Sequence, residues 1–371
     1  MEEIRINLGE KSYSILVGCN CLRDLGKHIK QLNLGYTSVF VITSPKIGKL
    51  YTSDTVRSLK NAGYKDIVVE ELPDGEKNKS LANIKNFYDK INKFDNEDKK
   101  ILVLNLGGGV VGDFGGYLAG TWRRGVDYIQ VPTTLLAMVD CGIGGKTGVN
   151  FKKQKNSIGV FYQPKLVFAD INLLRTLNKR ELRSGLAEVI KYGVISASAL
   201  FKCVEDNYDK ILNLDNEFDE KLMDYISITS YKIKKEIVEK DEEDRKGIRA
   251  LLNYGHTIGH AVEAASNYAY RHGEAISIGM VVINDIAVKM GIMNQKDAQR
   301  IEDLLCKVGL PTRIKKVKLN DIMGMLKHDK KAINGVNRFI FATKIGNTIP
   351  PREDVDKKLV LKAIKNRLNN I

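Results

Sequence analysis

Ile101-Leu-Val-Leu-Asn-Leu-Gly107-Gly108-Gly109-Val110-Val111-Gly112-Asp113 reads as an apolar strand that runs into a glycine turn and then into a helix. Gly107, Gly109 and Gly112 satisfy Gly-x-Gly-x-x-Gly, the spacing that lets a backbone approach a pyrophosphate at a helix N-terminus. Glycines at such turns also serve tight bends alone, so the pattern needs support from its surroundings. A standard dinucleotide fold places an acidic residue about twenty positions on, at the end of the next strand. Here Asp127 precedes the strand Tyr128 to Val131, which ends in Pro132-Thr133-Thr134. A nucleotide turn without the usual ribose contact is therefore expected, and it follows several strand–helix units instead of opening the first.

Outward from this stretch, Ile4 to Leu8 and Tyr13 to Val17 read as a hairpin. Apolar runs at Ser38 to Thr43, Asp66 to Glu70 and Leu166 to Phe168 alternate with helical patterns such as Leu81 to Phe94. That alternation predicts a Rossmann-like α/β domain over 1–172, a parallel sheet with helices on both faces. Beyond it, Glu181 to Ile195, Phe201 to Leu212, Phe218 to Val238, Leu251 to Ala265, Ala275 to Met290 and Gln299 to Val308 all repeat at helical period. A mainly α-helical domain over 173–371 is expected, with strand signal returning only at Arg338 to Thr343.

A length of 371 residues favours two domains over one core. No apolar run approaches bilayer length and the start Met1-Glu-Glu-Ile-Arg lacks a signal-peptide core, so a cytoplasmic protein without a membrane partner is expected. Five cysteines without a Cys-x-x-Cys pair point to free thiols. The net charge of +14 is spread along the chain, which speaks against nucleic acid; a field for a small anionic substrate would account for it, and plain lysine-rich usage accounts for it best.

Asp140-Cys-Gly-Ile-Gly-Gly-Lys146-Thr147 fails as a phosphate-binding P-loop, because aspartate stands where the first glycine is needed. It leaves Lys146, with Lys155-Asn156 nine residues on, as anion contacts or as solvated surface charges. In the helical half, His256 and His260 lie four apart with Glu263 one turn further. At that spacing both imidazoles can chelate a divalent ion, or one can bind metal while the other carries protons. Arg249 and Asn253 are expected on the same side of that helix, and His272 follows the loop Ser266 to Arg271. Glu188, with Lys191 one turn away, is a candidate carboxylate ligand; a surface ion pair is the plain alternative.

In order along the chain stand Gly107 to Asp113, Arg124-Gly125, Pro132-Thr-Thr-Leu-Leu-Ala137, Val139-Asp140, Gly144-Gly-Lys-Thr-Gly-Val-Asn150, Lys155-Asn156, Arg180-Glu181, Gly185-Leu-Ala-Glu188-Val-Ile-Lys191, Leu252-Asn-Tyr-Gly-His256, Gly259-His-Ala-Val-Glu263 and His272-Gly-Glu-Ala275. This series resembles the 3-dehydroquinate synthase family over nearly the whole chain. The resemblance implies an NAD+-binding domain, a helical metal-binding domain, a homodimer, and conversion of 3-deoxy-D-arabino-heptulosonate 7-phosphate to 3-dehydroquinate with loss of phosphate. It implies Glu188, His256 and His272 as ligands of Zn2+, with Co2+ an acceptable substitute, and His260 as an acid–base residue. For NAD+ it implies Asp74, Gly75, Glu76, Lys79, Gly108, Gly109, Val110, Val111, Gly112, Asp113, Thr133, Thr134, Asp140, Lys146, Lys155, Leu173, Leu174, Arg175 and Thr176. For the sugar phosphate it implies Lys146, Lys155, Asn156, Lys191, Lys234, Arg249, Asn253 and either Lys330 or Lys331, with Arg124 supplied by a neighbouring subunit. Asp244 is the acid chosen from the loop Asp241 to Gly247, which is one residue longer than usual in the family. Ser44 and Lys46 stand where some members carry Asp and Asn.

The implied chemistry is a transient oxidation by NAD+ that acidifies the proton beside the departing phosphate, reduction back, and an internal aldol closure. Another sugar-phosphate cyclase or a glycerol-type dehydrogenase of the same superfamily is the competing expectation.

Overall fold

The computed structural model describes residues 1–95, 98–152, 154–214, 216–327 and 337–369, so Lys330 and Lys331 lie outside the described residues. The chain divides into two units, Met1–Leu177 with Glu220–Glu243, and Asn178–Asp219 with Asp244–Ile371.

The first unit contains β1 (Glu2–Ile6), β2 (Tyr13–Gly18), α1 (Leu25–Gln31), β3 (Ser38–Thr43), α2 (Pro45–Asn61), β4 (Asp66–Glu71), α3 (Leu81–Phe94), β5 (Ile101–Gly107), α4 (Gly109–Thr121), β6 (Tyr128–Pro132), β7 (Lys146–Phe151), β8 (Gln154–Phe161) and β9 (Leu166–Asp170). The chain then forms α5 (Lys179–Ile195) and α6 (Ser198–Leu212) of the second unit before α7 (Glu220–Lys240), which belongs to the first. Where the sequence reading drew a single boundary after residue 172, the contacts assign this later helix to the α/β unit. The reason is local. α7 packs on β1 and β2, and Glu239 Oε1 accepts from the Asn7 backbone N–H at 2.6 Å and side-chain amide at 2.9 Å.

Seven strands form one sheet in the order β1-β2-β9-β6-β5-β3-β4. β1 and β2 are the expected antiparallel hairpin, with Ile4 opposite Ile15, and every other pairing is parallel. From β3 the chain steps out to β4, then returns to β5 on the other side of β3, so strand order reverses between β3 and β5. Such a switch point is where open α/β sheets bind ligands, beyond the carboxyl ends of the strands. The glycine turn closes β5 there, which accounts for its late place in the sequence. Period-two alternation splits each central strand between two cores. Val39 and Val41 of β3 face Leu25, Ile29 and Leu59 of α1 and α2, while Phe40 and Ile42 face Phe87 and Phe114 of α3 and α4.

Glycine in α4 is a packing requirement. A Cβ at Gly115 would collide with Asn105 of β5, and one at Gly112 would come within 3.1 Å of Gln130 of β6. The stretch after Lys146, which carries no clear strand pattern, forms the antiparallel hairpin β7–β8, and Gly148 packs against Gly159 where a Cβ on either would strike backbone.

The second unit continues with α8 (His256–Ala265), α9 (His272–Lys289), α10 (Gln295–Lys307), α11 (Leu319–Lys327), the small ladder of β10 (Ala342–Lys344) and β11 (Asn347–Thr348), and α12 (Lys357–Arg367). The helix expected over Leu251 to Ala265 is broken. Ile248–Asn253 is a 3-10 turn, Gly255 takes φ +76°, and α8 begins only at His256. Arg249 and Asn253 therefore do not extend the helical face of His256. α8 and α9 pack closely because Gly255, Gly259 and Gly279 line their contact; a Cβ at Gly259 would stand 2.8 Å from Ile276 Cδ1. Among the described residues, no helix is long and apolar enough to cross a membrane.

Candidate functional site

Within the second unit, α5 contributes Glu188 and Lys191 from its buried face, while His256 and His272 are the first residues of α8 and α9. Glu188 is 0% exposed and Lys191 1%, so this pair is no solvated surface bridge. Lys191 Nζ lies 2.5 Å from Glu188 Oε2 and donates to the Leu252 carbonyl at 2.9 Å. The other oxygen, Glu188 Oε1, faces His256 Nε2 at 3.5 Å and His272 Nε2 at 3.3 Å. These separations exceed ordinary hydrogen bonds. They match the spacing of about 3.3 Å between donor atoms around a tetrahedral ion with bonds of about 2.0 Å. The donor set thus fits a divalent cation such as zinc.

An oxygen also faces the far nitrogen of each imidazole. His256 Nδ1 lies 3.1 Å from the Tyr254 carbonyl, and His272 Nδ1 lies 3.6 Å from Glu263 Oε2. Carbonyl and carboxylate both favour a proton on Nδ1, which leaves each Nε2 lone pair directed at Glu188. For His272, burial alone would lower the pKa, but the Glu188 and Glu263 carboxylates outweigh it and raise it to about 9. A proton and a cation compete for the same nitrogen. His260 stands on the same helix with its ring 5.2 Å from that of His256 and 5.8 Å from that of His272. A second cation-sized group, His260, Glu263 and His272, shares one histidine with the first.

The starts of α5 and α9 are tied by crossed ion pairs. Arg180 grips Glu274 with Nε–Oε1 2.6 Å and Nη2–Oε2 2.8 Å, and Arg271 Nε reaches Glu181 Oε1 at 3.0 Å. Glu274 also accepts from the Arg271 backbone N–H at 2.8 Å, capping the helix that His272 opens. The motif Arg180-Glu181 thereby fixes the spacing between the helices that carry Glu188 and His272.

Within the first unit, the amides at the start of α4 follow the glycine turn, where a Cβ at Gly108 would approach Thr134 to 3.1 Å and one at Gly109 would approach Cys141 Sγ to 3.0 Å. Thr133 Oγ1 is buried without a hydrogen-bond partner in the described residues, and Thr134 Oγ1 accepts from the Ala137 N–H at 3.1 Å. A bare turn, a helix N-terminus and an unsatisfied hydroxyl fit a dinucleotide's phosphates. Beside them lies an ionic cluster. Lys79, 2% exposed, donates to Asp113 Oδ2 at 2.8 Å and sits 3.3 Å from Glu76 Oε1. Lys155 lies 4.0 Å from Glu76 Oε2, and Asn150 donates to Glu76 Oε1 at 2.9 Å while accepting from the Asn156 N–H at 2.9 Å. Burial alone would raise Glu76, but Lys79, Lys155 and Asn150 hold its pKa below the usual value. Asn150, which sequence reasoning left inside a motif without a role, is the side chain that joins Glu76 to the Asn156 backbone.

Lys234, on α7, donates to Asp140 Oδ1 at 2.6 Å, which explains why this helix belongs with the α/β unit. Tyr51 donates to the Leu173 carbonyl at 3.2 Å and also pairs with Thr176, while Leu173 and Leu174 are buried and Arg175 is exposed. Asp74 is exposed beside Gly75 at φ +102°. Lys146 and Arg124 are exposed, the latter at φ +66°, and Asp244 is half-buried at φ +59°. The Tyr36 hydroxyl donates to Asp127 Oδ2 at 3.0 Å.

A profile described as 3-dehydroquinate synthase N-terminal matches residues 69–184, and one described as 3-dehydroquinate synthase C-terminal matches residues 185–332. The chain is 44% identical over 349 residues to the 3-dehydroquinate synthase of Desulforamulus reducens, covering 93% of this chain and 95% of that protein. It is 44% identical over 348 residues to that of Prochlorococcus marinus, covering 92% and 93%. Among solved structures, 2-deoxy-scyllo-inosose synthase complexed with carbaglucose-6-phosphate, NAD+ and Co2+ superposes with a TM-score of 0.87 at 26% identity, covering 99% of this chain and 100% of that one.

Proposed function

The chain belongs to the 3-dehydroquinate synthase family, and on that premise we propose that it is an NAD+- and divalent-metal-dependent lyase converting 3-deoxy-D-arabino-heptulosonate 7-phosphate to 3-dehydroquinate and phosphate. The observation that carries this reading is the placement of Glu188 Oε1 3.3 to 3.5 Å from two imidazole Nε2 atoms, with Lys191 on the opposite oxygen. When bound, NAD+ supplies a temporary hydride acceptor and Zn2+ or Co2+ a Lewis acid at the reacting hydroxyl.

Glu188, His256 and His272 hold the cation, and His260 moves protons beside it. In this reading Lys146, Lys155, Asn156, Lys191, Lys234, Arg249 and Asn253 clamp the substrate's carboxylate and phosphate, which fixes the reacting carbons in place. Asp244 contributes the remaining acidic group. The NAD+ contacts belong to the α/β unit: Asp74, Gly75, Glu76, Lys79, the turn Gly108 to Asp113, Thr133, Thr134, Asp140 and Leu173 to Thr176. The Lys79 ammonium holds Asp113 and Glu76 so that the turn stays open for the dinucleotide. Exposed Arg124 is assigned to a neighbouring copy's substrate site, which makes the working form a homodimer.

Phosphate release from the heptulosonate phosphate, measured with NAD+ and Zn2+ and repeated with a chelator, tests the reading. Stoichiometric phosphate without net NADH, abolished by the chelator, is expected. Net accumulation of NADH would instead mark a glycerol-type dehydrogenase, and phosphate release indifferent to chelation would remove the metal from the reaction. Another sugar-phosphate cyclase stands further off, since the inosose synthase shares 26% identity against 44% for the dehydroquinate synthases.

A further inference from the structure

We propose that Glu263 is a positioning residue for the divalent cation, holding the His272 imidazole by its Nδ1 so that Nε2 is presented to the ion. The inference rests on the reading of Glu188, His256 and His272 as the ligand set. Glu263 is 4% exposed on α8, and its Oε2 lies 3.6 Å from His272 Nδ1 while His272 Nε2 points at Glu188 Oε1 at 3.3 Å. At 3.6 Å the carboxylate oxygen faces Nδ1 just beyond hydrogen-bond length. A ligating imidazole held by a carboxylate on its far nitrogen keeps one tautomer and gains basicity.

The other histidine receives the same service by a different route. His256 Nδ1 lies 3.1 Å from the Tyr254 carbonyl, and the Tyr254 hydroxyl donates to Asn284 Oδ1 at 2.5 Å, a buried pairing on α9. Support is therefore reciprocal. α8 begins with one ligand and carries the group that orients the other, and α9 begins with that other ligand and carries the anchor for Tyr254. Changing Glu263 alone breaks one arm and leaves all three ligand side chains in place.

The test measures Zn2+ affinity by competition with a chromophoric chelator, and the visible spectrum of the Co2+ form, for wild type, His256→Ala, Glu263→Gln and Glu263→Asp. Glu263→Gln is expected to keep the wild-type circular dichroism and one-ion stoichiometry, to bind about 10- to 100-fold more weakly, and to shift the Co2+ bands. Glu263→Asp, which keeps the charge but withdraws it by one methylene, is expected to recover part of the loss. Wild-type affinity and spectrum in Glu263→Gln would overturn the proposal. So would a loss of the ion as complete as in His256→Ala, because Glu263 would then be a ligand, as the group with His260 and His272 allows. Should Glu263→Gln fail to fold, an unchanged affinity in Glu263→Asp overturns the proposal in its place. Undiminished binding by His256→Ala would sink the ligand assignment itself, a result separate from any outcome at Glu263.

Discussion

Glu188 divides its two oxygens between different tasks, Oε2 against Lys191 and Oε1 towards two imidazoles, and its complete burial keeps water from competing for either. His256→Ala is expected to abolish both metal retention and turnover, whereas His260→Ala is expected to keep the metal and slow turnover by about 10²- to 10⁴-fold. Metal analysis of the two purified variants decides the matter, since loss of zinc from His260→Ala would reverse the assignment. Spacing alone made His256 and His260 the natural chelating pair. Their rings meet edge to face at 88° and 5.2 Å, while His256 Nε2 faces a glutamate 68 positions earlier on another helix. Chelation at i and i+4 is readable from one helix. A ligand set drawn from three helix segments is set by tertiary packing; spacing could offer Glu188 and His272 as candidates, and only the ordered series of motifs chose His256 and His272 over His260.

At the scale of elements, the proposed ligand set depends on how tightly α8 lies along α9. A Cβ at Gly279 would run into the Gly255 carbonyl, so Gly279→Ala must push the two helices apart. We expect a loss of about 3 kcal/mol or more in thermal unfolding together with weakened metal retention. Gly324→Ala serves as the control, because a Cβ there meets nothing within 4 Å in the middle of α11; it should gain about 0.5–1 kcal/mol. The crossed ion pairs add a pH-dependent element. Burial alone would raise Glu274, but the Arg180 hydrogen bond and the Arg271 N–H hold its pKa below the usual value. A carboxylate depressed by folding contributes its full stability above an unfolded-state pKa of about 4.3 and loses it as pH falls through the folded value. Wild type should therefore melt about 2 °C above Glu274→Gln at neutral pH, a small margin because Arg180 is half exposed, and the gap should narrow in acid. A gap unchanged into strong acid would remove Glu274 as its source. Strands and helices of this kind were legible wherever period two or period 3.6 persisted. The break before α8 was not, because Leu251 and Leu252 continue the apolar pattern while the positive φ of Gly255 turns the backbone.

For the whole molecule, capture of an anionic sugar phosphate by the +14 charge would be sensitive to salt. Between about 0.01 and 0.1 M salt the screening length falls from about 30 to about 10 Å, and kcat/KM should fall about three- to tenfold with it. Salt-independent kcat/KM would show that the charge plays no part in capture. Fold class was readable because the first half alternates strand and helix and the second does not. The grouping of α7 was not, since its period is the same as that of its helical neighbours and its buried face, Met223, Ile226, Tyr231 and Val238, with the Lys234 and Glu239 contacts, decides where it packs. That grouping has a consequence for biosynthesis. The polypeptide passes between the two units at residues 177, 219 and 243, so a ribosome that has delivered the last sheet strand has not yet delivered the helix that covers β1 and β2. A nascent chain halted at residue 177 would leave that hairpin without α7 and prone to stick to other chains, and the α/β unit completes itself only after α5 and α6 have emerged.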